Sequence, residues 1–485
     1  MTAKAVMVLG TTSGAGKSWL TTALCRYYVR QGLKVAPYKA QNMSNNARVV
    51  SQGEIGSAQY FQALAAGVVP EVRMNPLLLK PEKDTQSQVV LMGQVNTELS
   101  RLDWRSRSAR VWPVVAQALD ELMAENDVVV IEGAGSPAEI NLKHSDIVNM
   151  RVALHANAAC LLVTDIDRGG AFAHLFGTWA MLPPEEQRLI KGFVLNKFRG
   201  DAALLAPGPQ MLQDLTGVPT VAALPMWWQH GLPEEDGVFD DRSRSTGQIT
   251  RTIAVIAYPR ISNLDEFQPL KNVPGVRLVW ARSPSQLMGL APSDWVVLPG
   301  SKSTAADLAW LRAQRLDEAV ASHAEQGGAV LGICGGLQML GEALIDPHGI
   351  DGNSAGLGLL PVVTVFAAAK TVKHRQASFG AVAGCWSALS NVVAQGYEIH
   401  HGQTAPPAAM ATVGRVATAV MPDALAWQNP AGNVLGLYLH GLFEDPGVLT
   451  ALFGVSTPTL DTVFDGLADY IGKHFEPGVL DALIV

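Results

Sequence analysis

A glycine-rich stretch near the start of the chain limits the possible folds more than any other part of the sequence. Residues 6–19 read VMVLGTTSGAGKSW, and the apolar residues Val6 to Leu9 are typical of a buried strand. Apolar residues recur at helical spacing from Trp19 onward, so the glycines lie between a strand and a helix. In such a turn, successive backbone N–H groups face inward and bind phosphate groups. The sequence therefore predicts a nucleoside triphosphate site in an α/β domain.

The two residues after the last glycine of this loop have side chains suited to a bound nucleotide. Lys17 can reach the outer phosphates, and the hydroxyl of Ser18 can bind a magnesium ion. The loop departs from the common spacing G-x-x-x-x-G-K-[ST], because its first glycine is Gly10 and Thr11 stands where that pattern has glycine. The predicted ATP-binding residues of the loop are Thr12, Ser13, Gly14, Ala15, Gly16, Lys17 and Ser18.

This variant loop resembles that of dethiobiotin synthetase and its relatives, which form acyl phosphates or carbamates. It lacks the additional lysine of the partition-type ATPases, whose place is taken by Thr12. Strand-like runs alternate with helical segments through the first half, which is the doubly wound pattern of α/β proteins. In related nucleotide-binding proteins an Asn-Lys pair after a later strand contacts the adenine ring. The pair Asn196 and Lys197 matches it, so the resemblance adds Asn196 to the ATP site.

Length favours two α/β domains. A chain of 485 residues exceeds the size at which one core keeps growing, so two domains of roughly 200 to 250 residues are expected. Residues 233–250 are polar and poor in periodic apolar residues, and a fresh series of buried strand runs begins near residue 252. We therefore predict a nucleotide-binding domain over 1–232, a linker over 233–250 and a second domain over 251–485.

Charge and hydropathy exclude several classes of partner. The formal net charge of -7 argues against nucleic acid as the main partner. No run of 18 or more apolar residues occurs, so neither a membrane span nor a signal peptide is expected, and the predicted location is the cytoplasm. The 4 cysteines lack C-x-x-C spacing, so neither a disulfide framework nor a zinc site is predicted.

Polar side chains in the first half come directly after predicted strands. The buried run 127–131 is followed by Glu132, whose carboxylate at the carboxyl end of a parallel strand suits the magnesium ion of a bound nucleotide. The run 34–38 is followed by KAQNMSNNARV, and the run 159–164 by DIDRGGAF. Since ligands bind at such strand ends, these loops are expected to face a substrate. The substrate-side candidates are Lys39, Gln41, Asn42, Asn45, Asp165 and Arg168, with Asp146 as a weaker acidic candidate.

A cysteine between glycines predicts a nucleophile in the second half. The sequence GICGGLQ at residues 332–338 follows a buried strand run and precedes a helical run over 337–344, so Cys334 lies in a sharp strand-to-helix turn. The positive end of the helix favours the thiolate. The backbone N–H of Gly335 can bind the oxyanion that forms after attack. Among 11 histidines, His440 is the best placed base, because it follows the apolar strand run 434–439.

Three motifs taken together resemble one family. QNMSNN at residues 41–46 and MNPLLLKP at residues 74–81 follow the phosphate loop in the order seen in the cobyric acid synthase family, the glutamine-dependent amidotransferases of cobalamin biosynthesis. The similarity runs along the whole chain and distinguishes it from the sibling cobyrinic acid a,c-diamide synthases. The second half also resembles class I glutamine amidotransferases, whose cysteine releases ammonia from glutamine. This resemblance implies that Gly300 and Ser301 of LPGSKST form the second part of the oxyanion hole.

The chain departs from the amidotransferase pattern after its histidine. The broader family has a glutamate two residues later, where this chain has Leu442. Glu444 or Glu398 could orient the imidazole instead, or Cys334 and His440 could act as a dyad, as in the cobalamin branch of the family. His400 and His401, in YEIHHGQT, are candidates for contacts with glutamine or between the domains.

The resemblance implies a reaction that uses both halves. ATP and Mg2+ would activate a carboxylate of a corrinoid substrate, and ammonia from L-glutamine would displace phosphate to form an amide. The implied substrate is adenosylcobyrinic acid a,c-diamide, amidated at its b, d, e and g side chains to give adenosylcobyric acid. Two alternatives stay open: the a,c-diamide synthase reaction, and a non-catalytic P-loop ATPase scaffold with an inactive amidotransferase domain.

Overall fold

The chain forms two compact units. The computed structural model describes residues 3–83, 86–228, 230–233, 248–407, 416–455 and 459–485. The first unit comprises Met1–Ser44, Gln52–Asp236 and Pro458–Val485, and the second comprises Asn45–Ser51 and Gly237–Thr457. This division differs from the predicted domains, because a short segment of the first half groups with the second unit and the chain end groups with the first. The predicted linker over 233–250 lies largely outside the described residues.

A sheet of six parallel strands forms the centre of the first unit. In sheet order, the strands are Thr220–Pro225, Ile190–Phe198, Ala159–Asp165, Lys4–Gly10, Val128–Glu132 and Val35–Tyr38. The strand that begins the chain pairs on one side through Val6 with Val130 and on the other through Val6 with Ala159. The first strand of the chain is therefore central in the sheet, with later strands on both of its sides. This arrangement confirms the predicted doubly wound fold and places the glycine-rich loop where such folds bind ligands.

The first strand is apolar on both faces because helices cover both sides of the sheet. Val6 and Val8 pack into one core, while Met7 and Leu9 pack into the other. A smaller sheet consists of Gln41–Met43, Leu77–Lys83, Gln86–Leu91 and Gln94–Val95. The helices of the unit are Lys17–Arg30, Ser57–Ala65, Thr97–Ser100, Trp104–Glu125, Met150–His155, Ala171–Ala180, Pro184–Gln187, Gly208–Thr216, Leu460–His474 and Val479–Ala482.

The last long helix, Leu460–His474, packs against the helix that follows the glycine-rich loop. Its buried face consists of Phe464, Leu467, Ala468 and Ile471. Phe464, Leu467 and Ile471 share a core with Leu20 and Leu24. Arg26 Nε donates to Asp465 Oδ1 at 2.8 Å. The helix belongs to the first unit, whereas the sequence analysis assigned its residues to the predicted domain 251–485.

The second unit is built on a sheet of seven strands. In sheet order, they are Val276–Ala281, Arg251–Ile256, Trp295–Leu298, Ala329–Ile333, Val434–Leu437, Ala426–Gln428 and Thr418–Ala419. The first five strands run parallel to one another, and each of the last two pairs antiparallel with the strand before it in the sheet. The unit's further strands are Ala47–Val50, Ile261–Ser262, Gly300–Ser301, Ala343–Ile345, Ser354–Ala355, Val363–Ser378 and Val393–Ala405. Its helices are Gln268–Lys271, Thr304–Ala313, Leu316–Glu325, Gly335–Leu340 and Pro446–Phe453.

One predicted helix has different bounds in the structure. The helix expected over 337–344 ends at Leu340, because Gly341 is extended and Ala343–Ile345 is a strand. In the first unit, the helix Ser57–Ala65 follows directly on the strand Gly53–Gly56. Among the described residues, no helix has both the length and the apolar character needed to cross a bilayer.

Candidate functional site

The phosphate loop of the first unit lies at the carboxyl end of the central strand. The strand ends at Gly10 and the following helix begins at Lys17. Gly16 has a φ of 100°, a left-handed conformation that favours glycine, and a Cβ there would lie 2.0 Å from Asn196 Nδ2. Lys17 Nζ donates to the carbonyl oxygen of Thr12 at 3.1 Å, so the ammonium group points back into the loop. The predicted strand, loop and helix are therefore present.

Glu132 is the centre of a buried polar cluster beside this loop. It is 1% exposed, and its Oε1 accepts hydrogen bonds from Ser18 Oγ and Lys39 Nζ, both at 2.8 Å. Its Oε2 accepts from Gln62 Nε2 at 2.5 Å and from Gln59 Nε2 at 3.4 Å. Burial alone would raise the pKa of Glu132, but Lys39 and the other donors hold that pKa below its ordinary value. The carboxylate is therefore ionised at neutral pH.

The oxygen atoms of Ser18 and Glu132 fit a magnesium ion, because hydroxyl and carboxylate oxygens are the hard ligands that this ion prefers. The described residues contain no group of three or more His, Cys, Asp or Glu that could hold a metal ion alone. Phosphate oxygens of a nucleotide would therefore have to supply further ligands. Lys39 binds the same Glu132 oxygen, so a metal ion and Lys39 would compete for it.

Other predicted residues lie at the same edge of the sheet. Lys197 Nζ donates to Asp165 Oδ2 at 3.1 Å, and Arg168 Nε lies 3.4 Å from that oxygen. Asn196 Nδ2 donates to the carbonyl oxygen of Ala15 in the phosphate loop at 2.9 Å. The structure thus brings a cation pair, a carboxylate and an amide to the border of the loop.

The remaining substrate-side candidates divide between different surroundings. Asn42 Nδ2 donates to Gln59 Oε1 at 3.2 Å. Gln41, the residue before it, is also buried. Asn45 groups with the second unit, and its role towards a substrate stays a prediction. Asp146 Oδ1 accepts from backbone N–H groups two and three residues later, at 2.9 and 3.1 Å, so its carboxylate stabilises its own turn.

In the second unit, Cys334 lies in a strained turn between a strand and a helix. Its φ of 50° and ψ of -104° are rare for a residue with a side chain. A Cβ on Gly335 would lie 2.7 Å from the backbone nitrogen of Ser301, so the two predicted oxyanion donors are neighbours. A Cβ on Gly300 would lie 2.9 Å from His440 Cε1. All the predicted residues of this site therefore lie together.

His440 lies between Cys334 and a carboxylate that the sequence analysis did not identify, that of Glu266. His440 Nδ1 lies 3.2 Å from Glu266 Oε1, and the charge of Cys334 acts on the same imidazole. Glu266 Oε2 accepts from the backbone N–H of Gly441 at 3.0 Å, which fixes the carboxylate. Burial alone would lower the pKa of His440, but the charges of Glu266 and Cys334 outweigh it and raise the pKa to about 10. The imidazolium is therefore favoured, as the partner of a thiolate nucleophile requires.

The two carboxylates predicted to orient His440 bind other cations. Glu398 Oε2 lies 2.9 Å from His400 Nε2, and Glu444 Oε1 lies 2.6 Å from Arg48 Nη2. Both predictions are therefore wrong, because Glu266 holds the position beside the imidazole. Whether Cys334 and His440 act as a dyad or together with Glu266 stays a prediction, with Glu266 Oε1 3.2 Å from His440 Nδ1.

Two further predicted histidines lie on the strand that borders the cysteine. The carbonyl of Ile399 accepts from Cys334 Sγ at 3.7 Å. The next residue, His400, has its Nδ1 2.8 Å from the carbonyl oxygen of Gly402, and His401 has its Nδ1 3.1 Å from that of Ala367. A role in glutamine contact remains a prediction for both.

The sequence contains only weak indications of three site residues that were not predicted, namely Glu266, Gln59 and Gln62. Glu266 lies 174 residues before His440 in a short three-ten turn, which has no periodic pattern. Gln59 and Gln62 are three residues apart on one helix, a spacing that puts both side chains on the same face. That spacing, next to the predicted strand-end loops, could have identified the pair.

Comparison with known proteins agrees with this architecture. Residues 6–233 match the CobQ/CobB/MinD/ParA nucleotide binding domain, and residues 252–448 match the CobB/CobQ-like glutamine amidotransferase domain. The fold and the two sites define an enzyme that joins a glutamine amidotransferase domain to a P-loop nucleotide-binding domain.

Three curated relatives, each named Cobyric acid synthase, match the chain from end to end. The protein of Polaromonas naphthalenivorans (strain CJ2) is 82% identical over 484 residues, which cover 100% of both chains. The protein of Polaromonas sp. (strain JS666 / ATCC BAA-500) is 76% identical, covering 99% of this chain and 98% of the relative. The protein of Variovorax paradoxus (strain S110) is 74% identical, covering 100% of each. The chain belongs to the cobyric acid synthase family.

Proposed function

We propose that the protein uses ATP, magnesium and L-glutamine to convert carboxylates of a corrinoid into amides. The observation that carries this proposal is the buried Cys334, His440 and Glu266 group, in a chain that also has a P-loop with a carboxylate beside its serine. The proposed substrate is adenosylcobyrinic acid a,c-diamide, amidated at its b, d, e and g side chains to adenosylcobyric acid. The name shared by the end-to-end relatives supports this choice of product.

In the amidotransferase unit, the Cys334 thiolate would attack the side-chain amide carbon of glutamine. The backbone N–H groups of Gly335 and Ser301 are suited to bind the oxyanion that forms. The His440 imidazolium would give its proton to the leaving nitrogen, so that the C–N bond breaks and ammonia departs. Water, deprotonated by the neutral imidazole, would then hydrolyse the thioester to glutamate and return the thiolate.

In the nucleotide unit, a substrate carboxylate would attack the γ-phosphorus of ATP, forming an acyl phosphate and releasing ADP. Ammonia would then attack the acyl carbon, and phosphate would leave as the amide forms. Lys17 is suited to bind the outer phosphates, and Ser18 and Glu132 would hold the magnesium ion. When bound, that ion neutralises charge on the phosphates. Lys39 and Arg168 are our candidates for orienting the substrate carboxylate.

Paired variants test this division of labour. Cys334→Ala should abolish synthesis with glutamine but retain it with ammonium, because the nucleotide unit is unchanged. Lys17→Ala should lose synthesis with either nitrogen source, because no acyl phosphate forms. The measurement is ADP and amide production from the corrinoid with each source in turn.

Two matched controls keep the test specific. Cys385→Ala changes an exposed cysteine of the same unit, and Lys34→Ala changes an exposed lysine of the first unit; both should behave like the wild type. Equal losses in the Cys334 and Lys17 variants on both nitrogen sources would contradict the proposal. Activity on cobyrinic acid itself would favour the a,c-diamide synthase reaction, and nucleotide-driven dimerisation without amidation would favour a scaffold.

A further inference from the structure

A short segment from the first half of the sequence is built into the amidotransferase unit. Residues Asn46–Arg48, here called the anchor segment, lie inside the stretch that matches the nucleotide binding domain, yet they group with the second unit. The chain enters from Ser44 and leaves to Gln52, which both belong to the first unit. The three residues are buried, with exposed fractions of 3%, 1% and 2%.

The first two residues of the anchor segment hold the turn that carries Glu266. Asn46 Oδ1 accepts a hydrogen bond from the backbone N–H of Leu264 at 3.1 Å. The backbone N–H of Ala47 donates to Asn263 Oδ1 at 2.9 Å. Asn263 stands immediately before that turn and has a φ of 54°, a left-handed conformation that needs support from its surroundings. The anchor segment therefore fixes where the turn begins.

Arg48 connects the elements that surround His440. Its Nη2 binds Asp265 of the same turn and lies 2.6 Å from Glu444 Oε1 in the turn that follows His440. Its guanidinium carbon lies 5.1 Å from the ring centre of Tyr397, and that ring stacks on His440 with 5.4 Å between ring centres. Removing one member of a buried ion cluster leaves the others without their partner, which is strongly unfavourable. Arg48 is therefore needed to hold these elements in their positions around His440.

The anchor segment also determines which atom of Asn263 faces His440. The N–H of Ala47 can only donate, so Asn263 Oδ1 turns towards it and Nδ2 faces His440 Nδ1 at 3.2 Å. Glu266 Oε1 lies at the same distance from that nitrogen, 3.2 Å. An unprotonated Nδ1 accepts from Asn263, whereas a protonated Nδ1 donates to Glu266. The two contacts therefore favour opposite protonation states of His440.

We propose that the anchor segment is part of the glutaminase site, and that Arg48 is a positioning residue for the Glu266 and His440 pair. Glutamine hydrolysis then depends on residues 46–48 of the nucleotide-binding half of the sequence. This inference rests on the proposed glutaminase role of Cys334, but it does not require the corrinoid substrate to be correct. Release of glutamate from glutamine can be measured without any corrinoid.

Arginine variants of the full-length protein test this role. Arg48→Met keeps much of the side-chain volume and removes the charge, and it should lower kcat for glutamine hydrolysis by about 100-fold, because small displacements of a catalytic group cost that much. Synthesis with ammonium should stay within about twofold of the wild type, since the phosphate loop is unchanged. The matched control is Arg26→Met, which removes an arginine bound to Asp465 at 2.8 Å in the first unit and should leave glutaminase activity unchanged.

The pH profile separates positioning from a purely structural loss. The groups that face His440 are Cys334, Glu266, Asn263 and Tyr397, with Arg48, Asp265 and Glu444 behind them. Removing the arginine charge leaves net negative charge beside the imidazolium, so the pKa of His440 should rise. The basic limb of kcat/KM for glutamine should therefore move to higher pH in Arg48→Met, and Arg48→Lys, which keeps the charge, should return the limb to its wild-type position.

Each outcome decides the matter. Loss of glutaminase in Arg48→Met with the limb shifted and ammonium-dependent synthesis retained supports the proposal. Glutaminase activity equal to that of Arg26→Met, or a loss with an unshifted limb, overturns it. If Arg48→Met loses both activities through misfolding, Arg48→Lys decides: ammonium-dependent synthesis retained with the basic limb at its wild-type position supports the proposal, and a displaced limb despite the retained charge overturns it. Failure of ammonium-dependent synthesis in the wild-type protein would instead refute the proposed function and leave this inference standing.

Discussion

Glu266→Gln is the sharpest test of how the amidotransferase unit prepares its histidine. The substitution keeps the shape of the side chain and removes the negative charge that lies 3.2 Å from His440 Nδ1. The pKa of His440 is about 10 against an ordinary 6.5. At about 1.4 kcal/mol per pKa unit, the surroundings as a whole, with the cost of burial included, favour the imidazolium by roughly 5 kcal/mol. Glu266 comes first among them, ahead of Cys334, so we expect its loss to remove most of this preference.

The expected result is a large loss of glutamine hydrolysis with a shifted pH profile. In a comparable cysteine or serine site, replacing the carboxylate behind the histidine lowers kcat by up to about 10⁴-fold, and we expect at least about 100-fold here. The basic limb of kcat/KM should move down from near pH 10 towards neutral pH, because the imidazolium loses its partner. Synthesis with ammonium should be unaffected. The assay is glutamate release between pH 6 and 10, beside amide formation from ammonium at one pH.

Stability gives a second readout of the same charge. A histidine whose pKa is raised in the folded state contributes stability that is complete below about pH 6.5 and is lost as the pH rises towards about 10. Glu266→Gln should therefore lower the melting temperature more at pH 6 than at pH 10. Glu398→Gln is the control, because its carboxylate binds His400 instead. The reasoning is refuted if this control loses the basic limb while Glu266→Gln keeps it.

Three further substitutions test other parts of the structure. Gly335→Ala should lower glutaminase activity by about 100-fold, because its Cβ would meet the neighbouring oxyanion donor at 2.7 Å, whereas Gly177→Ala, which faces open space, should not change it. Ile471→Ala should destabilise the first unit by about 2 to 5 kcal/mol in urea unfolding while glutaminase activity persists under native conditions, because the side chain is fully buried in that unit. Lys39→Met should raise the pKa of Glu132, so that the acid limb of ammonium-dependent synthesis moves to higher pH; an unmoved limb would contradict the assigned ion pair.

The parts of the fold that sequence predicts are those in which side-chain pattern and backbone geometry agree. The strand ending at Gly10 and the elbow at Cys334 each combine an apolar run with glycines that only a tight turn requires, so their positions follow from sequence alone. The strand end also predicted the position of Glu132 beside the phosphate loop, because polar residues collect at the carboxyl edge of a parallel sheet.

The remaining features depend on contacts between distant parts of the chain. The amphipathic pattern of Leu460–His474 shows that one face is buried, but it does not say which unit covers that face. The polar run QNMSNNAR reads as one substrate loop, whereas its first part stays with the nucleotide unit and Arg48 is buried among carboxylates of the other. Glu266 lies in a short three-ten turn, where neither an apolar periodicity nor a strand end indicates a functional residue.

Both units use a buried carboxylate, and the cation opposite each one determines its chemistry. Glu132 is surrounded by donors that lower its pKa, namely Lys39, Gln62 and Ser18, so its negative charge is available to a metal ion on a nucleotide. Glu266 lies against a titratable imidazole, and its charge appears mainly as the raised pKa of His440. A desolvated carboxylate is therefore suited to metal binding in one unit and to supporting proton transfer in the other. Removing the charge of either carboxylate should therefore affect only the half-reaction of its own unit, because the affected groups are those in direct contact with that carboxylate.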